Sequence, residues 1–101
     1  MPRFLVIYYA GEMASDAASV ADARRAFMHW AELAGPALAD VGSPVRSTLA
    51  IGANGVRDRV PGEPPLGWSV LEAADRDMAL QLLQRHPFLS LGGTLHISDP
   101  V

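Results

Sequence analysis

The chain contains no cysteine. That excludes a disulfide framework, a thiolate nucleophile and a cysteine-based metal site. It also lacks any basic run. Its eight basic residues are scattered arginines set against 11 acidic residues, for a net charge of −3. A nucleic-acid surface needs clustered positive charge, so no nucleic-acid partner is expected. No stretch approaches the roughly 20 apolar residues of a membrane-spanning helix, and no membrane partner is expected. The apolar run in the opening MPRFLVIYYAGE is too short for a signal peptide and reads as a strand. A cytoplasmic protein is the plainer expectation. No glycine-rich loop follows a strand in the manner of a phosphate site. The histidines at 29, 86 and 96 lack a metal-site spacing. Neither metal nor cofactor is expected.

What is present is apolar. Of 101 residues, 50% are hydrophobic and 19% charged, the balance of a folded globular protein. The length fits one domain, residues 1–101. So short a chain buries only a limited share of its surface alone, so this apolar content leans toward an oligomer. The organising stretch is RFLVIYYA, residues 3–10. On a strand, Phe4, Val6 and Tyr8 share one face, and Leu5, Ile7 and Tyr9 the other. Both faces are apolar, so the strand needs cover on both sides.

Ser19 and Asp22 resemble a capping box, preceded by a loop over residues 11–18. Val20, Ala23, Phe27, Trp30, Ala31 and Ala34 then recur at helical spacing. Pro36 interrupts, and the spacing predicts one kinked helix over residues 20–41, closed by Gly42 and Ser43-Pro44. Residues 45–51 (VRSTLAI) alternate and read as a second strand, with Arg46 and Thr48 on its wetter face. A turn-rich loop follows, with Asn54-Gly55 fitting a tight hairpin turn. Residues 66–73 (LGWSVLEA) are the third strand. Asp75 caps a second helix over residues 76–85, with Met78, Ala79, Leu82 and Leu83 as its stripe and His86-Pro87 as its stop. Residues 94–100 form a fourth strand, with Leu95 and Ile97 opposite His96.

The order strand–helix–strand–strand–helix–strand is that of an α+β, ferredoxin-like βαββαβ domain with a four-stranded antiparallel sheet. Both helices cover one sheet face. The other would be a large apolar patch, which soluble monomers avoid. Pairing two sheets face to face resolves this, giving a homodimeric α+β barrel with a cavity between the sheets.

Four segments also resemble the YCII-related group, which includes DGPF-type proteins of the dimeric α+β barrel superfamily. They are FLVIYYAGE, HWAELAGPALADVGSPV, LEAADRDMALQLL and RHPFLSLGGTLHISDPV, together most of the chain outside residues 52–65. The resemblance implies a homodimer and a cleft at the sheet surface. It implies no assigned activity, although some members are thought to act through a His–Asp pair. This chain has His86-Pro87 where the best-known members have Asp-Pro, and its closing strand is one residue longer. That catalytic pair is therefore not carried over.

Chemistry-bearing candidates remain. His86 is either a general acid–base, protonated by a helix C-terminus, or a stop residue bonded to a nearby carbonyl. His96 faces either the cleft or bulk solvent. Arg46, Thr48 and one of Tyr8 and Tyr9 are candidates to orient a small anionic or carbonyl-bearing ligand. Two functions follow. One is a cofactor-free isomerase- or lyase-like enzyme using His96 or His86. The other is a non-enzymatic ligand sensor or accessory interaction module.

Overall fold

The computed structural model describes residues 1–100. The first apolar run folds as strand β1 (Arg3–Tyr9). Its two faces part as the alternation requires. Phe4, Val6 and Tyr8 are buried, whereas Leu5 on the other face is 41% exposed.

Helix α1 (Ala17–Ala34) starts earlier than the capping box predicts. Asp16 is its N-cap, not Ser19. The Asp16 carboxylate accepts the Ser19 backbone N–H at 3.0 Å and the Ser19 hydroxyl at 2.7 Å. A carboxylate takes both donors at once, which leaves Ser19 inside the first turn. Those bonds lower the Asp16 carboxyl pKa. The helix ends at Gly35, whose φ of 56° is the left-handed region glycine tolerates. A 3-10 turn (Gly35–Ala37) carries Pro36.

The helix does not resume, which corrects the expected kinked helix over residues 20–41. Strand β2 (Leu38–Pro44) follows instead. Its backbone pairs with a later strand, β5 (Gly67–Glu72), through Leu38↔Leu71, Asp40↔Val70 and Ser43↔Trp68, with register shifts between them. Gly42 makes this possible. Its φ is +74°, and a Cβ there would lie 1.7 Å from the Trp68 carbonyl oxygen. Leu38 also packs against the core. Sheet pairing and burial thus override the helical preference of the Ala-Leu-Ala run.

Most of the strand expected over residues 45–51 is absent. Residues 45–49 are irregular, and only Ala50 and Ile51 enter a strand. That is β3 (Ala50–Gly52), paired with β4 (Gly55–Arg57) in a separate two-stranded hairpin. Its tight turn is Ala53-Asn54, closed by Gly52↔Gly55, one residue before the expected Asn54-Gly55.

β5 alternates as its sequence dictates, with Gly67, Ser69 and Leu71 buried. Asp75 caps α2 (Arg76–Leu83), accepting the Met78 N–H at 2.9 Å. Ala79 and Leu83 face the core, whereas Met78 is 52% exposed and leaves the predicted stripe. A short helix α3 (Pro87–Ser90) and strand β6 (Thr94–Ser98) complete the order. Arg76 pairs with Asp99, tying the start of α2 to the tail and lowering the Asp99 carboxyl pKa.

The result is a mixed α+β fold. Its antiparallel sheet is ordered β2-β5-β1-β6, with β1 central between β5 and β6. Trp30 and Ala34 of α1, Ala79 and Leu83 of α2 and Phe88 of α3 pack with Phe4, Val6, Tyr8 and Leu71. All three helices therefore cover one sheet face. The other face carries Leu5, Ile7, Trp68 and Val70, matched across the strands as Leu5↔Val70 and Ile7↔Trp68. Among the described residues, no helix is long and apolar enough to cross a membrane.

Candidate functional site

A cavity of about 540 Å³ opens between α1 and the β2–β5 side of the sheet. Each wall follows from the local fold. β1 brings Tyr8 to the helix-covered face. α1 presents the adjacent Ala23 and Arg24 and, one turn on, Phe27. The irregular run of β2 contributes Val41 and Gly42, and Phe88 of α3 closes one side. The lining is mainly apolar. Arg24 is the one charged side chain among the described lining residues, and no histidine, aspartate or glutamate lines it.

One buried polar chain reaches this wall. The Tyr8 hydroxyl donates to Ser69 Oγ at 2.8 Å, and the Ser69 hydroxyl donates to the Val41 carbonyl at 2.7 Å. Ser69 is fully buried. A buried hydroxyl needs its partners, and these two bonds supply them. Burial raises the Tyr8 pKa, partly opposed by the Ser69 hydrogen bond. The phenol therefore stays protonated at neutral pH.

Behind this wall lies an aromatic cluster around His86. Its ring centroid is 4.4 Å from Trp30, 4.8 Å from Phe88, 5.1 Å from Tyr8 and 5.5 Å from Phe27. His86 is 2% exposed, and burial pushes its pKa down to about 4. Its Nδ1 accepts the Phe88 backbone N–H at 3.1 Å, making it the N-cap of α3. The proton of the neutral ring is accordingly assigned to Nε2. Of the two expectations for His86 this corrects the protonated acid–base, and it alters the stop residue, whose ring accepts from a backbone N–H and does not donate to a carbonyl. Burial disfavours the charged ring, and the ring serves the start of the next helix. His86 Nε2 and Trp30 Nε1 are both buried without a hydrogen-bond partner among the described residues.

The other candidates separate. Tyr8 is on the helix side of the sheet. Tyr9 and His96 are on the opposite face, their ring centroids 4.5 Å apart. His96 and Arg46 are exposed, and Thr48 is half-buried. Arg46 and Thr48 fall in the irregular segment after β2, so they do not share a strand face, and neither lines the cavity. Sequence reasoning missed Ser69, Phe27, Phe88 and the Val41 carbonyl. Ser69 carried a legible signal, a hydroxyl on the buried side of an alternating strand. The Val41 carbonyl carried none, because residue 41 read as helix.

The chain matches no model of a known protein family and no curated protein.

Proposed function

We propose that the protein binds a small, mainly apolar organic molecule in the cavity between α1 and the sheet, and that it does so as a homodimer. The observation that carries the reading is the cavity itself. Its size and aromatic, aliphatic walls with a few fixed polar groups are those of small-molecule sites. Arg24 offers a cation for an anionic substituent. A binding role is favoured over isomerase- or lyase-like catalysis because the described lining residues include no carboxylate or imidazole to act as a base. His86 is neutral, with its Nδ1 already engaged, and His96 is on the far face.

The same proposal takes the domain as ferredoxin-like, related to the YCII group, with two sheets facing each other in an α+β barrel. The strand order, the helices on one face and the apolar opposite face support it.

The test blocks the cavity without touching the core. Val20 lines the cavity yet is 46% exposed, so Val20→Trp places an indole across it at little cost to folding. Calorimetric titration with 1-naphthol, a compact aromatic probe, should show binding to the natural protein. Affinity should fall at least about tenfold in the variant, with the melting temperature unchanged. Equal affinity in both proteins places the probe elsewhere and ends the reading.

A further inference from the structure

The ligand's chemistry can be narrowed from the direction of the buried hydrogen bonds, an argument that rests on the cavity being a ligand site. Val41 contributes a carbonyl oxygen, which only accepts. Ser69 Oγ is 2.7 Å from it, so the single Ser69 proton must lie in that gap. Two oxygens at this distance without a proton between them would repel. Ser69 Oγ therefore has no proton left for Tyr8. The 2.8 Å contact between the two hydroxyls must be filled by the Tyr8 proton. The carbonyl at the far end thus fixes the sense of the whole chain. Tyr8 and Val41, its two ends, both line the cavity. Ser69 between them is fully buried, so water does not compete for its bonds.

With its proton committed, the Tyr8 oxygen keeps only acceptor capacity. We infer that Tyr8 reads a hydrogen-bond donor on the ligand, and that the cavity selects apolar molecules bearing an N–H or O–H over isosteres bearing an ether or carbonyl oxygen. Ser69 is the positioning residue. It holds the phenolic proton away from the ligand and makes Tyr8 an acceptor. An acceptor atom facing Tyr8 would meet a lone pair. Its own bond to water would be lost without replacement, the costly side of hydrogen-bond exchange. A matching donor avoids that loss.

The experiment uses a matched pair of probes, indole and benzofuran, of nearly the same shape, one carrying N–H and the other a ring oxygen. Both are titrated calorimetrically into the natural protein, Tyr8→Phe and Ser69→Ala. In the natural protein indole should bind about tenfold tighter, the ratio one buried hydrogen bond sustains. Tyr8→Phe removes the acceptor and should abolish the preference while retaining benzofuran binding. Ser69→Ala frees the phenolic proton and should shrink the ratio toward one, a change that loss of packing alone would not produce. Binding of both probes without preference for indole overturns the donor rule and leaves the binding reading standing. So does a preference that survives Tyr8→Phe. Failure of both probes to bind the natural protein overturns the donor rule and the cavity reading together.

Discussion

His86 is nearly sealed among Tyr8, Phe27, Trp30 and Phe88, and that burial sets a pH dependence for the whole fold. In the folded chain its pKa is about 4, against 6.5 for the free side chain. The unfolded chain therefore takes up a proton first as pH falls. The stability contributed by the neutral ring is complete above pH 6.5 and is lost progressively from there down to about pH 4. Between pH 7 and pH 5 the loss should be about 2 kcal/mol. The exposed carboxylates of Asp16 and Asp99 have lowered pKa values, so their contributions fade only below this window. His86→Asn keeps an acceptor for the Phe88 N–H but removes the titrating group. Urea unfolding at the two pH values should show a weaker variant at pH 7 with a flatter pH response. A natural protein equally stable at pH 7 and pH 5 would refute the assignment. In sequence, His86-Pro87 was legible as a boundary. The ring's role was not, because it depends on aromatic residues as distant as Tyr8 and Phe27.

The elements divide by how much of their structure is local. β1, β5, α2 and β6 were legible, because each buries one regular face and alternation or helical spacing follows from that. β2 was not. It pairs on one side only, with β5, and its register shifts twice, so its burial shows no period of two. Nothing in Leu38–Pro44 marks it as a strand until β5 is beside it. Conversely, residues 45–49 alternate without belonging to any strand. The same misreading hid one wall of the cavity, whose Val41 and Gly42 exist as a wall only in the sheet. Gly42 tests this account. Any side chain there would meet the Trp68 carbonyl oxygen, 1.7 Å from the ideal Cβ position, at a φ of +74°. Neither atom can yield without breaking the β2–β5 ladder. Gly42→Ala should cost at least about 2 kcal/mol and shift Val41 out of reach of Ser69. Thermal unfolding reads the first effect, and loss of the preference for indole over benzofuran the second. Gly52→Ala is the control, since a Cβ there meets nothing within 4 Å.

At the scale of the molecule, the four-stranded sheet, one layer of helices and the separate β3–β4 hairpin give a slab of 41 × 38 × 18 Å. Its accessible surface is 7102 Å², whereas a monomer of this mass typically exposes about 5,500 Å². Its radius of gyration is 14.5 Å, against about 13 Å for a chain of this length. The excess, about 1,600 Å² on one chain, is about twice what each partner buries in a standard interface and is on the scale of a large obligate one. Part of that excess lies on the β3–β4 hairpin and its approach, where Leu49, Ile51 and Val56 are exposed, and part on the helix-free sheet face, which is the regular apolar surface a second copy could cover. Leu5 and Val70 are directly paired there, as are Ile7 and Trp68, so the patch is contiguous. A face-to-face partner with the same patch would bury both, as an isologous dimer requires. The sequence made this face legible through the second apolar set of β1, even though the site it implied for His96 and Arg46 did not assemble. Sedimentation equilibrium should therefore give twice the chain mass at micromolar concentration. Val70→Asp places a charge in the centre of the patch but leaves the helix-side core untouched. It should yield a folded monomer, with helical circular dichroism retained. A natural protein that sediments as a monomer at these concentrations would leave the open face without a partner of its own kind and remove the dimer from the proposal.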